Sequence, residues 1–314
     1  MKYVFWGIIG VCILIQFLAY IVWRIALHSP NKTQNDDHSV AEDEQTKPIL
    51  SKIHSMIDDL NAIPYETVSI VSRDGKRLYG RYYENKAGAP VLICCHGYRG
   101  TPSRDFSGGA TMYREAGCNL LMIEQRAHLR SEGRSITMGV MERYDVLDWI
   151  YFVCEKCGPE TKIVLAGISM GAATVLMVAG MDLPVNVCGV IADAPFTAPK
   201  PILQRVMREM HLPVKMVYAL LVYGAWLFGG FRLSDRTVNA AEAVKKAHVP
   251  ILLIHGEDDR FVPCEMGREI AAANPELVEL HTFPNAGHGL SFLTDEPRYR
   301  AICMSFLQRV LGDR

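Results

Sequence analysis

The sequence predicts an α/β fold: a mostly parallel, doubly wound sheet with an N-terminal antiparallel hairpin and a helical cap insert. Three observations predict it. From residue 91 onward, short apolar runs alternate with segments of helix length. Those runs are continuously hydrophobic, as in parallel strands buried on both faces. Just upstream, "ETVSIVSRDGKRLYGRYYE" gives two alternating stretches about Asp74-Gly75, a hairpin signal.

Taken in order, the chain begins with an apolar run from Tyr3 to Trp23, broken only by Gln16 and flanked by Lys2 and Arg24. About 20 such residues suffice to cross a bilayer as a helix. A cleaved signal peptide has a shorter apolar region and a small-x-small site, which "RIALHSPNK" does not offer. Residues 1–28 are therefore expected to be an uncleaved, single-pass membrane anchor, with Trp6, Tyr20 and Trp23 suited to the interfacial belts. Charge does not fix the orientation, since Lys2 and the amino terminus balance Arg24 and Lys32. Nine cysteines without framework spacing fit reduced thiols and lean toward a cytoplasmic domain. "CEKC" at 154–157, lacking a second pair, reads as structural.

Residues 29–47 are polar and acidic, the composition of a flexible linker. A globular domain is expected over 48–314. It opens with Ile49, Ile53, Met56, Ile57 and Leu60 at helical spacing. After the hairpin, strands are expected at "VLICC", "NLLMIE", "KIVLAG", "VCGVIAD", "ILLIHG" and "LVELHTF". The alternation breaks at about 197–236, where "LPVKMVYALLVYGAWLFGGF" is too interrupted by Lys215, Gly224, Gly229 and Gly230 to span a membrane. It is expected to be the cap over the carboxyl edge of the sheet, where open α/β sheets bind ligands. Its aromatic and aliphatic content suits an apolar acyl site or contact with a membrane surface.

Composition excludes some partners. With 33 Lys and Arg against 34 Asp and Glu, the net charge of −1 provides no basic excess for nucleic acid.

The chemistry centres on Gly167-Ile168-Ser169-Met170-Gly171, a G-x-S-x-G between an expected strand and an expected helix. A sharp turn there exposes the serine hydroxyl above the sheet and needs tiny neighbours two residues away. A helix start capped by serine would require neither glycine. The hydroxyl needs a base, and the base needs an acid to orient it. His288, in the loop "FPNAGHGL" after the last strand, is the expected base. His96 and His255 read as turn residues, and His128 as support for the site. For the acid, "HGEDDRFVP" offers Glu257, Asp258 and Asp259; Asp259 is preferred, then Asp258, with Asp193 a distant third.

These motifs, from about Glu66 to Val310, resemble an α/β-hydrolase of the bacterial carboxylesterase and serine-aminopeptidase-like branch, often membrane-anchored. "CCHGYRG" is similar to that family's oxyanion loop, "GISMG" to its nucleophile elbow, "HGEDDRFVP" to its acid motif and "AGHG" to its histidine loop. The serine, acid, histidine order is also the family's. The resemblance implies an α/β-hydrolase fold, Asp259 rather than Asp258 as acid, and an oxyanion hole made by the backbone N–H groups of Tyr98 and Met170. "IEQRAHLRSEG" resembles the family's D-x-R-x-H-G-x-S-x-G loop, with Glu124 in place of Asp and Leu129 in place of Gly.

The expected function is a membrane-anchored serine hydrolase acting on small-molecule or lipid-like carboxylic esters through an acyl-enzyme on Ser169. It requires no metal or organic cofactor. A thioesterase, lipase or peptidase could use the same triad. A catalytically silent binding module of this fold would have no need of nucleophile, acid, base and oxyanion loop together.

Overall fold

The computed structural model describes residues 2–29, 37–40 and 44–312. Parts of the expected linker, 30–36 and 41–43, lie outside the described residues. Helix α1 (Lys2–Ala26) is followed by a 3₁₀ turn at Lys47–Ile49 and α2 (Leu50–Asn61). The strands β1 (Glu66–Val71), β2 (Arg77–Tyr83) and β3 (Val91–Cys95) lead into α3 (Pro102–Glu115), β4 (Asn119–Glu124) and α4 (Glu142–Cys157). Next come β5 (Ile163–Ile168), α5 (Met170–Ala179) and β6 (Val187–Asp193). The insert carries α6 (Pro199–Glu209) and α7 (Val214–Leu227) and is followed by α8 (Ala240–Val244). The chain closes with β7 (Ile251–Gly256), α9 (Cys264–Ala273), β8 (Val278–Phe283), α10 (Ser291–Thr294) and α11 (Glu296–Leu311).

The eight strands form one sheet in the order β1-β2-β4-β3-β5-β6-β7-β8. β1 and β2 pair antiparallel, as do β2 and β4, and the remaining pairs are parallel. Alternation along the strands feeds two cores. Val91, Ile93 and Cys95 face the layer holding α4 and α5, whereas Leu92 and Cys94 face α3 and α11. Both faces are thus dry, which is why these strands read as unbroken apolar runs. The hairpin turns at Gly75, whose φ of 79° suits a residue without a Cβ.

Two placements go beyond the sequence reading. The end of α1 is not held away from the domain: Trp23 and Leu27 are buried in the main core, and Trp23 Nε1 donates to Ser135 Oγ at 3.2 Å. The Ile136 N–H donates to the Leu27 carbonyl at 2.8 Å, and the Tyr98 hydroxyl to the Ala26 carbonyl at 2.5 Å. The partner of α1 is α7. Gly224 lets the two helices meet, since a Cβ there would fall 2.5 Å from the Ala19 carbonyl oxygen. Phe228 packs on both Tyr20 and Trp23.

The described part of the polar segment also packs on the domain instead of standing free. His38 bonds to Asp58 of α2 at 2.9 Å, His54 Nε2 approaches the His38 carbonyl at 3.1 Å, and Thr46 is buried. Partners for this segment are supplied by the polar face of α2, which lies some 20 residues away in sequence. Composition alone carries no trace of such a docking.

Candidate active site

Ser169 lies between β5 and α5 at φ 55° and ψ −115°, a conformation that side chains avoid. Space dictates the flanking glycines. A Cβ on Gly171 would sit 1.8 Å from the Cys95 carbonyl oxygen, and one on Gly167 would sit 2.4 Å from the Gly171 carbonyl. The Ser169 N–H donates to the Asp193 carbonyl at 2.8 Å and its own carbonyl accepts from Ala173, which pins the turn between β6 and α5.

The structure brings Ser169, His288 and Asp259 together. His288 Nε2 lies 2.9 Å from Ser169 Oγ, and His288 Nδ1 lies 2.7 Å from Asp259 Oδ2. The Phe261 ring covers the imidazole edge-on, 5.1 Å between centroids. Asp259 is buried, with Oδ1 accepting the N–H groups of Phe261 and Val262 at 2.9 and 2.8 Å. Burial alone would raise its pKa. Hydrogen bonds from His255 and His288 and from the Val262 N–H outweigh that and hold it at about 2. The carboxylate is therefore charged across the neutral range, as an imidazole needs in order to keep Nδ1 protonated. Asp258 is exposed on the outside of the same turn, and Asp193 reaches neither nitrogen within bonding distance.

Two histidines fix the loop after β3. His96 Nδ1 donates to the Gly97 carbonyl at 2.9 Å, and its Nε2 accepts from the Gln125 N–H at 3.1 Å. His128 Nδ1 faces the Arg126 carbonyl, and its Nε2 accepts from the Arg99 N–H at 3.1 Å. Burial lowers the pKa of both, that of His96 to about 3 with help from the neighbouring His128, so both stay neutral and can accept. Asp105 of α3 accepts the Gly97 N–H at 2.6 Å, and the Gly100 N–H turns back to the Gly97 carbonyl. The Tyr98 N–H is thus the donor of this stretch with no acceptor among the described residues. Met170 opens α5, so its N–H has no carbonyl one turn behind it. The positive end of the same helix lies under Ser169.

The serine opens on a cavity of about 630 Å³. Among the described residues its walls come from Val40 and Glu44–Thr46, from Ile53 and Met56 of α2, from α3, and from Phe261, Leu290, Phe292 and Leu293. None comes from the insert, which is helical but stacks on α1 beside the site. Its link to the catalytic side is Arg205, which donates to the Arg260 carbonyl at 2.9 Å. Gln45 packs directly over Gly287, next to His288.

Sequence reasoning missed three contributors: Asp105, the wall formed by Val40, Glu44–Thr46, Ile53 and Met56, and His255, whose Nε2 lies 3.5 Å from Asp259 Oδ2. Asp105 had a local signal, since Thr101-Pro102 caps α3 and places an acid in its first turn. The substituted position Leu129 adopts φ 45°, where glycine would be unstrained.

Asp193 ends β6 beneath the serine, buried, and burial pushes its pKa up to about 6. It faces Tyr299 and Cys303 from α11, Tyr113 from α3, His255 from β7, and His288 and Asp259 from the loops. An acid raised in the folded state binds more protons folded than unfolded between about pH 4 and 6, so its ionisation erodes stability as pH rises. The advantage of Asp193→Asn over wild type in melting temperature is expected to grow from about pH 4 to about pH 7. A constant difference across that range would contradict this.

Comparisons with known proteins agree with the fold. Residues 92–301 match the model of the alpha/beta hydrolase family. The uncharacterized protein YqkD of Bacillus subtilis is 24% identical over 258 residues, covering 82% of this chain and 84% of its own length. The lysophosphatidylserine lipase ABHD12 of Danio rerio is 25% identical over 251 residues, 75% of this chain and 63% of its own. The Pyrococcus furiosus esterase Pf2001 superposes with a TM-score of 0.66 at 23% identity, over 87% of this chain and 97% of that one. With its sheet order and elbow as described, and with the family model matching well over half of its length, the chain belongs to the alpha/beta hydrolase family.

Proposed function

We propose that this chain is a membrane-anchored serine hydrolase that cleaves carboxylic esters through an acyl-enzyme on Ser169. The observation that carries the reading is the unbroken line from Ser169 Oγ through His288 to the charged Asp259, opening on a largely apolar cavity. His288 takes the Ser169 proton as Oγ attacks the ester carbonyl, and the N–H groups of Tyr98 and Met170 hold the oxyanion. His288 then protonates the departing alcohol. Water attacks the acyl-enzyme with His288 again as base, releasing the acid and restoring the serine. Asp259 keeps the imidazole in the productive tautomer and stabilises its charged form.

The anchor part of the proposal rests on α1. It spans 25 residues, about 37 Å at 1.5 Å per residue, with a mean hydropathy of 2.3 in its most apolar window. Most of its apolar side chains before Ala19 face outward, and Met216, Trp226, Leu227 and Phe228 of the adjoining insert are exposed alongside. Because Ala26 is tied to Tyr98, the site would lie at the lipid surface, a placement suited to lipid-like esters. The lipase among the relatives supports the same substrate class.

The test uses the full-length protein in detergent with a chain-length series of nitrophenyl esters and the matching thioesters and anilides. Preferred turnover of esters, rising with acyl length, is expected. Turnover confined to anilides would replace the reading with a peptidase.

A further inference from the structure

A tether needs only the covalent chain, yet the last turn of α1 is bonded to the loop after β3. A helix leaves its final carbonyls without partners of its own. Here the domain receives them. Arg99 Nη2 donates to the Ile25 carbonyl at 2.7 Å and to the His28 carbonyl at 3.5 Å. The Tyr98 hydroxyl donates to the Ala26 carbonyl at 2.5 Å, and the Ile136 N–H to the Leu27 carbonyl at 2.8 Å. A cation beside the negative end of a helix is favourable in itself. The platform is firm, because Trp23 and Leu27 are buried in the main core and the Ser29 N–H donates to the Arg134 carbonyl at 3.1 Å. Tyr98 and Arg99 are the two central residues of a turn that the Gly100 N–H closes on the Gly97 carbonyl at 3.1 Å. Asp105 and His96 hold the base of that turn. At its apex Arg99 has φ 51°, a backbone that L side chains avoid. Among the described residues, the side-chain hydrogen bonds of both apex residues run to residues 25–28.

Resting on the esterase reading above and its oxyanion donors, we propose that the end of α1 positions the oxyanion hole. Tyr98 and Arg99 are positioning residues whose side chains grip the carbonyls of residues 25–28 and so set the Tyr98 N–H against the developing oxyanion. One residue carries both parts: the Tyr98 backbone supplies the donor and its side chain supplies the tie. A displacement of the loop from α1 therefore moves the donor directly. Such a donor acts over about 2.7–3.1 Å to the point where charge develops, so a small displacement weakens it. The interaction strengthens as the oxyanion forms, so its loss falls on kcat more than on KM. The anchoring helix thus acts on turnover as well as on location.

Full-length wild type, Tyr98→Phe, Arg99→Ala, Arg99→Lys and the Tyr98→Phe, Arg99→Ala double variant would be compared on one nitrophenyl ester. Inhibition by a trifluoromethyl ketone of the same acyl chain would be measured beside it. Ser169 Oγ adds to the ketone carbon, its proton passes to His288, and the carbonyl oxygen becomes an oxyanion in the hole. Tyr98→Phe and Arg99→Ala are each expected to lower kcat by about three- to tenfold, with KM within about twofold. The double variant should lose about 10–10² in kcat, short of the 10²–10³ that follows removal of a whole donor. Arg99→Lys keeps a cationic donor for the Ile25 carbonyl and should recover most of the loss. Across the series the ketone's inhibition constant should rise by the factor by which kcat/KM falls. A fall in kcat with an unchanged inhibition constant, or a loss confined to KM, overturns the proposal, because the effect then lies outside the oxyanion hole. Wild-type kcat in every variant that folds also overturns it while leaving the esterase reading intact. No hydrolysis of the ester by wild type overturns the esterase reading and the positioning role with it.

Discussion

Ser169→Ala and His288→Ala are each expected to lower kcat/KM for ester hydrolysis by about 10⁴–10⁶, and the double variant by no more than the worse single one. Nucleophile and base act as a unit, so once either is lost the other has nothing to do. Asp259→Asn should cost about 10⁴, because an amide would present a donor to Nδ1 and favour the wrong tautomer. Asp258→Asn should change kcat/KM by less than about threefold, as expected for an exposed carboxylate off the imidazole. Progress curves for the five variants decide this. A large loss in Asp258→Asn with Asp259→Asn unaffected would reverse the assignment of the acid.

Gly171→Ala is the second large effect, and it falls on folding. The added methyl would meet the Cys95 carbonyl oxygen at 1.8 Å and the His96 carbonyl oxygen at 2.7 Å. Both are backbone atoms of β3 and the loop that follows, so no side-chain rotation relieves the clash. Either α5 moves off the sheet or the loop carrying Tyr98 moves away from the serine. Overpacking of a well-filled core costs about 1–3 kcal/mol, and a rigid backbone contact belongs at or above the upper end. A drop of about 3 kcal/mol or more in unfolding free energy by denaturant titration is expected, with activity lost in whatever remains folded. Wild-type stability in Gly171→Ala would show that the turn is looser than the contact implies.

The parts of this molecule that local sequence reveals are those fixed by local physics. "VLICC" and "NLLMIE" coincide with β3 and β4 because strands buried on both faces leave no polar position to blur their ends. The elbow is legible because a strained serine with a backbone 1.8 Å from a neighbouring Cβ position admits only glycine there. Asp259 stands out from Asp258 by motif register, and the structure supplies the reason: the Phe261 and Val262 N–H groups curl back onto Asp259.

Illegible were the features decided by which surface a segment docks on. The insert's helices are recognisable, but α7 stacks on α1 because Gly224 matches Ala19 some 200 residues away. The roof over the serine comes instead from residues that look like a polar tether, held by His38 on Asp58 and by Gln45 on the histidine loop. Composition specifies that such a segment is soluble and says nothing of a complementary face elsewhere. Asp193 was legible only as a spare carboxylate; its missing donor shows in three dimensions alone.

The most direct test of the central claim, that Ser169 is an activated nucleophile, is labelling of the full-length protein with a fluorophosphonate probe followed by peptide mapping. A single adduct on Ser169, absent from Ser169→Ala and His288→Ala, is the predicted result. A folded wild type that takes no label, or takes it on another residue, would contradict the claim.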